Sequence, residues 1–133
     1  MDQLVTMEVA TSEIDSWLDA KKVSQQKRDD RADGIKILIS GICEGNLTLK
    51  EDKTFVQKLK HEFGKDIIFT ELEYKPRIHV GLIHQHLTNV KSDDPDGRLL
   101  AHVAALTGKP KEVLKKMDTE DFAIAQSIAY FFL

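Results

Sequence analysis

The chain has one cysteine, Cys43, in 133 residues, which excludes an intramolecular disulfide. With no second thiol and no histidine beside it, Cys43 reads as a buried or half-buried spectator rather than a nucleophile. No charged leader with an apolar stretch and a small-residue cleavage site opens the sequence, so the expected compartment is a reducing cytoplasm. A basic excess is also missing: 19 Lys and Arg face 22 Asp and Glu, for a formal net charge of −3. The imbalance sits in the first 53 residues, with eleven acidic against eight basic, and the remainder is balanced at eleven each. Nucleic-acid binders normally carry a basic stripe, so this composition argues against that class. No apolar run approaches the ~20 residues that span a bilayer. There is no glycine-rich phosphate loop and no serine in a nucleophile elbow, and the expectation is a non-enzymatic protein without a cofactor.

The most apolar stretch is the last one. Ten of the twelve residues from Phe122 to Leu133 are apolar, with only Gln126 and Ser127 interrupting. A length of 133 residues is enough to bury about two-thirds of the unfolded surface in one core.

Periodicity predicts an α+β fold: a small antiparallel sheet packed by helices, with a helical N-terminal arm and a C-terminal helical bundle. The division is 1–33 for the arm and linker and 34–133 for the domain, whose C-terminal helices span about 94–133. In TSEIDSWLDAKKV, Thr11 offers an N-cap and Ile14, Trp17 and Leu18 share a helical face, Trp17 as a packing anchor. SQQKRDDRADG is nearly free of apolar residues and reads as a linker or a solvated helical start. From Gly34, Ile35, Leu38, Ile39 and Ile42 mark a core helix that Gly45-Asn46 stops. The period then changes to two. Phe55, Leu59 and Phe63 share one strand face, Gly64-Lys65-Asp66 turns the chain, and Ile68, Leu72 and Tyr74 share a face of the returning strand. The hairpin covers about 54–75, Leu47 and Leu49 within 46–49 form a candidate third strand, and Pro76 ends the sheet.

A helical period resumes through Ile78, Leu82, Ile83 and Leu87 until SDDPDG breaks it. Asp94-Pro95 launches the next helix, with Leu99, Leu100, Val103 and Leu106 pointing inward and Gly108 as its stop. Pro110 starts a short helix striped by Val113, Leu114 and Met117, and Asp118 caps the last one, with Glu120 and Asp121 at its positive end.

The histidines are His61, His79, His84, His86 and His102. His84 and His86 diverge on a helix and His79 is badly spaced from His84, so these pairs do not predict a zinc site. Carboxylates cluster at Asp29/Asp30/Asp33, Asp93/Asp94/Asp96 and Asp118/Glu120/Asp121; capping accounts for the last two groups, and the segment from Asp93 lacks the alternating ligands and distal Glu of a calcium loop. Residues 98–117 outline a helix-turn-helix with Lys109, Lys111, Lys115 and Lys116. Without Arg, Asn or Gln on the second helix they read bases poorly, and DNA-binding regulation is the weakest alternative.

DPDGRLLAHVAALTGKPKEVLKKMDTEDFAIAQSIAYFFL is similar to the ending of the small tail assembly chaperones of contractile-tailed (Mu-like and P2-like) bacteriophages. The matching features are Leu106-Thr107-Gly108, the helix from Pro110 to Met117, Asp118 with Asp121-Phe122, and the apolar run from Ile124 to Leu133. The upstream Leu72-Glu73-Tyr74-Lys75-Pro76 fits the same outline, so the resemblance covers about residues 54–133. It implies a non-enzymatic protein of the host cytoplasm that keeps the tape measure protein soluble while tail tube subunits polymerise around it. Homo-oligomer formation is compatible with it, membrane attachment is not implied, and a longer frameshifted product is common in the family. The alternative from another class is a structural tail or baseplate subunit.

Two arrangements of the closing run remain open. In one it is the central helix, with Phe122, Ala125, Ile128 and Phe132 packed internally and Tyr130, Phe131 and Leu133 near the rim. In the other, Ile124, Phe131 and Leu133 stay open for a partner or a second copy. The candidate partner-binding set is Phe122, Ile124, Ile128, Phe131, Phe132 and Leu133.

Overall fold

A computed structural model describes residues 5–133; positions 1–4 of the expected arm lie outside the described residues. Thr6, not Thr11, begins the first helix, α1 (Met7–Ala20): its hydroxyl accepts from the Val9 N–H at 3.3 Å. The apolar stripe starts earlier than Ile14, because Ala10 continues it at the preceding i−4 position and is fully buried. The charged stretch that follows is helical. In α2 (Gln25–Asp30), Ser24 caps the Lys27 N–H, Gln25 and Gln26 bond to Asp29 and Asp30 one turn on, and nothing is buried. Arg28 bonds both Asp19 and the Val23 carbonyl, holding α2 to the end of α1. After a kink at Arg31 comes α3 (Ala32–Cys43), which buries Leu38, Gly41, Ile42 and Cys43; Gly45, at φ 83°, follows its end.

The expected hairpin and third strand form a sheet in the order β1 (Leu47–Leu49), β2 (Phe55–Phe63), β3 (Phe69–Tyr74), antiparallel throughout. Phe55 pairs with Tyr74 and Gln57 with Leu72, which puts these four on the buried face together with Leu59. The register then breaks. Between Lys58 and Phe63 β2 carries more residues than the matching stretch of β3, so Phe63 pairs with Phe69. This shift corrects the expectation for Ile68: the inward aromatic is Phe69, 5.3 Å from Phe63 ring to ring, and Ile67 and Ile68 are exposed in the turn. Gly64 makes that turn at φ 124°, where a Cβ would lie 1.9 Å from the Ile67 carbonyl oxygen.

The remaining helices follow their caps. His79 caps α4 (Val80–His86) through Nδ1; Asp94 caps α5 (Pro95–Thr107), accepting from the Gly97 N–H at 2.9 Å; Gly108, at φ 71°, ends α5. Leu99, Val103 and Leu106 are buried as expected, whereas Leu100 is only half-buried. α6 (Lys111–Leu114) is a single turn of 4 residues, so the helix-turn-helix outline lacks a second helix long enough to lie along a major groove. Asp118 caps α7 (Thr119–Ala129), which runs into a 3-10 turn at Tyr130–Phe132.

α7 packs against α3, α5 and β2, and the core is continuous with α1. The Gly41 position meets Leu47 and Ile124 so closely that an added Cβ would lie 3.3 and 3.4 Å from them, which sets the approach of α3 to α7. The N-terminal stretch is therefore not a separate arm in its packing. The Trp17 ring lies 4.8 Å from Phe55 and 5.5 Å from Phe131, both edge to face. No helix among the described residues is long and apolar enough to cross a membrane.

Candidate partner-binding surface

The six residues expected to bind a partner divide into two sets. Ile124, Ile128 and Phe131 are buried, Phe131 at 4% exposure, so the arrangement that left Ile124 and Phe131 open is corrected. Phe131 is covered by Trp17, a residue far away in sequence whose helix had been read as an arm. Phe122 and Phe132 are half-buried and Leu133 is 48% exposed. The outer aromatics at the end of the run have cationic covers. The Lys21 ammonium lies 3.4 Å from the Phe132 ring centroid and the Arg31 guanidinium 4.1 Å from that of Tyr130.

Phe122 belongs to a groove. The left-handed Gly108 reverses the chain after α5, α6 turns it once more, and the Asp118 cap aims the first turn of α7 back along α5. Leu100, Leu114, Met117 and Phe122 line the resulting cavity of about 290 Å³, with Asp96, Lys115 and Thr119 at its edge. Leu114 and Met117 form the buried floor, whereas Leu100 and Phe122 retain exposed surface. Lys115 is held at the rim by Glu112 at 2.9 Å. Periodicity had assigned Leu100 to the interior because α5 is apolar over more than half its circumference; which leucine reaches solvent depends on where α6 and α7 stop covering it.

The other end of that same first turn is polar and dry. Asp121, 1% exposed, accepts from the backbone N–H groups of Lys60 and His61 at 2.9 Å each, one per carboxylate oxygen. These two donors lie in the irregular part of β2, where the register with β3 is broken. Gln57 donates through Nε2 to the Asp121 carbonyl at 2.9 Å and accepts the Tyr74 hydroxyl through Oε1. Burial, then the Asp121 charge, pushes the Tyr74 phenol far above its ordinary value, so it stays a donor. Among the described residues no buried side-chain nitrogen or oxygen lacks a partner. The network fastens β2 to α7 and holds no reactive group in a cavity.

Just outside it, His61, Asp118 and Glu120 bring one ligand atom each within 4.8 Å of one another. His61 Nε2 is 3.9 Å from Asp118 and 3.7 Å from Glu120. A divalent cation would find donors there. The same Asp118 oxygen already caps α7, and the positive end of the helix opposes a cation. Sequence spacing could not find this trio, because β2 and α7 meet only in the fold.

No family model, curated protein or solved structure matches the chain.

Proposed function

We propose that this protein is a tail assembly chaperone, a non-enzymatic binding protein of the host cytoplasm that takes an amphipathic helix of the tape measure protein into the groove of Leu100, Met117 and Phe122. The observation that carries the reading is that apolar groove between α5, α6 and α7, with Asp96 and Lys115 at its rim. A helix docks in such a groove by seating apolar side chains spaced three or four residues apart, and charges of both signs at the edge set its register. Each Leu or Phe taken out of water contributes about 1.5–3 kcal/mol, so two anchors are enough for a reversible complex with one helical segment. A long client offers many such segments, and modest affinity at each is what allows tail tube subunits to displace the chaperone.

Relative to the surface expected from sequence, the reading keeps Phe122, adds Leu100 and Met117, and gives up the buried Ile124, Ile128 and Phe131 together with Phe132 and Leu133, which do not line the groove. Co-expression of the tagged chain with the tape measure protein tests it. The expected result is a soluble complex with the wild-type chain and loss of client solubility with Leu100→Ser or Phe122→Ser, while the variants keep the wild-type circular dichroism spectrum. Copurification of this chain with finished tails instead would favour a structural tail or baseplate subunit.

A further inference from the structure

The chain is acidic overall, yet one corner gathers cations. Where α1 ends and the β3–α4 connection passes beside the last turn, Lys21, Lys22 and Arg77 line a cavity of about 350 Å³ with Ala20, Ile78 and Phe132. Lys27 approaches from α2, its ammonium donating to the main-chain oxygen of Leu133 at 3.2 Å. Among the described residues, none of the ion pairs involves Lys21, Lys22 or Arg77.

The negative end of α1 accounts for cations at Lys21 and Lys22. It does not account for Arg77, which arrives from a different part of the chain. Lys22, at φ 57°, takes the left-handed position that closes α1, with the Val23 N–H bonding back to the Leu18 carbonyl at 3.1 Å. The cations lie against an apolar floor, for Lys21 stacks on Phe132 and Ile78 is half-buried beside Arg77. We propose that this cleft binds a phosphoryl group carried on a small apolar body, with Arg77, Lys21 and Lys22 on the phosphoryl oxygens and Phe132 and Ile78 against the body.

The choice of anion follows from charge and shape. A carboxylate carries one charge and two oxygens, which one arginine satisfies. A phosphate monoester carries nearly two charges and three terminal oxygens, matching a planar guanidinium together with two mobile ammonium groups. The volume is within the range of small-molecule sites and leaves room for a ring beside the phosphoryl group. Lys21 supports the same reading: burial, then the charges of Lys27 and Arg77, hold its pKa down to about 8. An anion in the cleft would reverse that shift and draw a proton onto Lys21.

The cleft is separate from the α5–α7 groove, so the two readings fail independently. The test is a titration of the full chain with phenyl phosphate, inorganic phosphate and benzoate, followed by amide NMR, with calorimetry near pH 8 in buffers of different ionisation enthalpy. We expect saturable shifts at Lys21, Lys22, Arg77 and Phe132, with phenyl phosphate about tenfold tighter than inorganic phosphate or benzoate. Arg77→Gln, at an exposed position, should weaken phenyl phosphate about tenfold, and Lys21→Met should abolish the proton uptake. Benzoate binding as tightly as phenyl phosphate would overturn the phosphoryl assignment, and inorganic phosphate doing so would overturn the apolar contact. Shifts that do not saturate, or that persist unchanged in Arg77→Gln, would overturn the site.

Discussion

The inner and outer faces of the last helical run have nearly the same composition and opposite fates. Ile124, Ile128 and Phe131 lie in the core, while Phe122 and Phe132 remain half-buried and Leu133 is about half exposed. Nothing in the chemistry of these side chains separates Phe131 from its neighbour Phe132. The difference is made from outside: Trp17, backed by Phe55, packs edge to face on Phe131 at 5.5 Å, whereas it only tilts past Phe132 at 6.3 Å, and that ring is met by the flexible ammonium of Lys21. An all-round apolar helix thus need not advertise a binding face; Leu100 and Phe122 keep exposed surface where the covering elements run short.

The sharpest way to break this contrast is truncation on each face. In urea denaturation Phe131→Ala should lose about 3–5 kcal/mol, from lost transfer energy and an unfilled cavity under Trp17, and Ile128→Ala about 2–5 kcal/mol. Leu133→Ser should cost no more than about 0.5 kcal/mol. Equal losses on the two faces would mean that the outer residues are core as well.

Asp121→Ala is expected next in size. It leaves the Lys60 and His61 N–H groups unpaired in the irregular part of β2, at about 1 kcal/mol for each of these part-buried donors, the low end of the range for a buried one. Hydrogen exchange should report it as faster exchange at those two amides, with β1 little affected. Unchanged exchange there would show that the sheet, not α7, holds this part of β2.

A smaller effect than that of Asp121→Ala concerns Lys21. Its folded pKa of about 8 lies below the ordinary 10.5, so between these values the unfolded chain binds more protons. Stability should therefore rise with pH through that window and be lost as pH falls back through about 8. Because about half of the group is exposed, solvent screening keeps the change below about 1 kcal/mol. Chemical denaturation between pH 7.5 and 9.5, roughly the accessible part of the window before tyrosines of the unfolded chain ionise, should show the slope in the wild type and its loss in Lys21→Met.

Much of the fold was legible because its signals are local. The caps at Asp94 and Asp118, the left-handed stops at Gly45 and Gly108 and the turn at Gly64 act over three or four residues, and they lie where the sequence indicated them. The two-residue period of Phe55 and Leu59 likewise located β2. It misplaced Ile68 because a register shift depends on the pairing strand and on Asp121, a distant residue that takes up the two unpaired N–H groups. Sequence points to Thr11 rather than Thr6 because Ala10 is too small to register as the start of an apolar stripe, although its burial is complete.

The sequence by itself determined the element types, their order and most of their ends, since each is decided by backbone propensity and by contacts between residues a turn apart. Tertiary structure alone decided which apolar side chains are covered, that α1 is part of the core, and that β2 and α7 share Asp121. Burial is a relation between distant segments, and a side chain's own hydrophobicity states only that it will be covered, not by what.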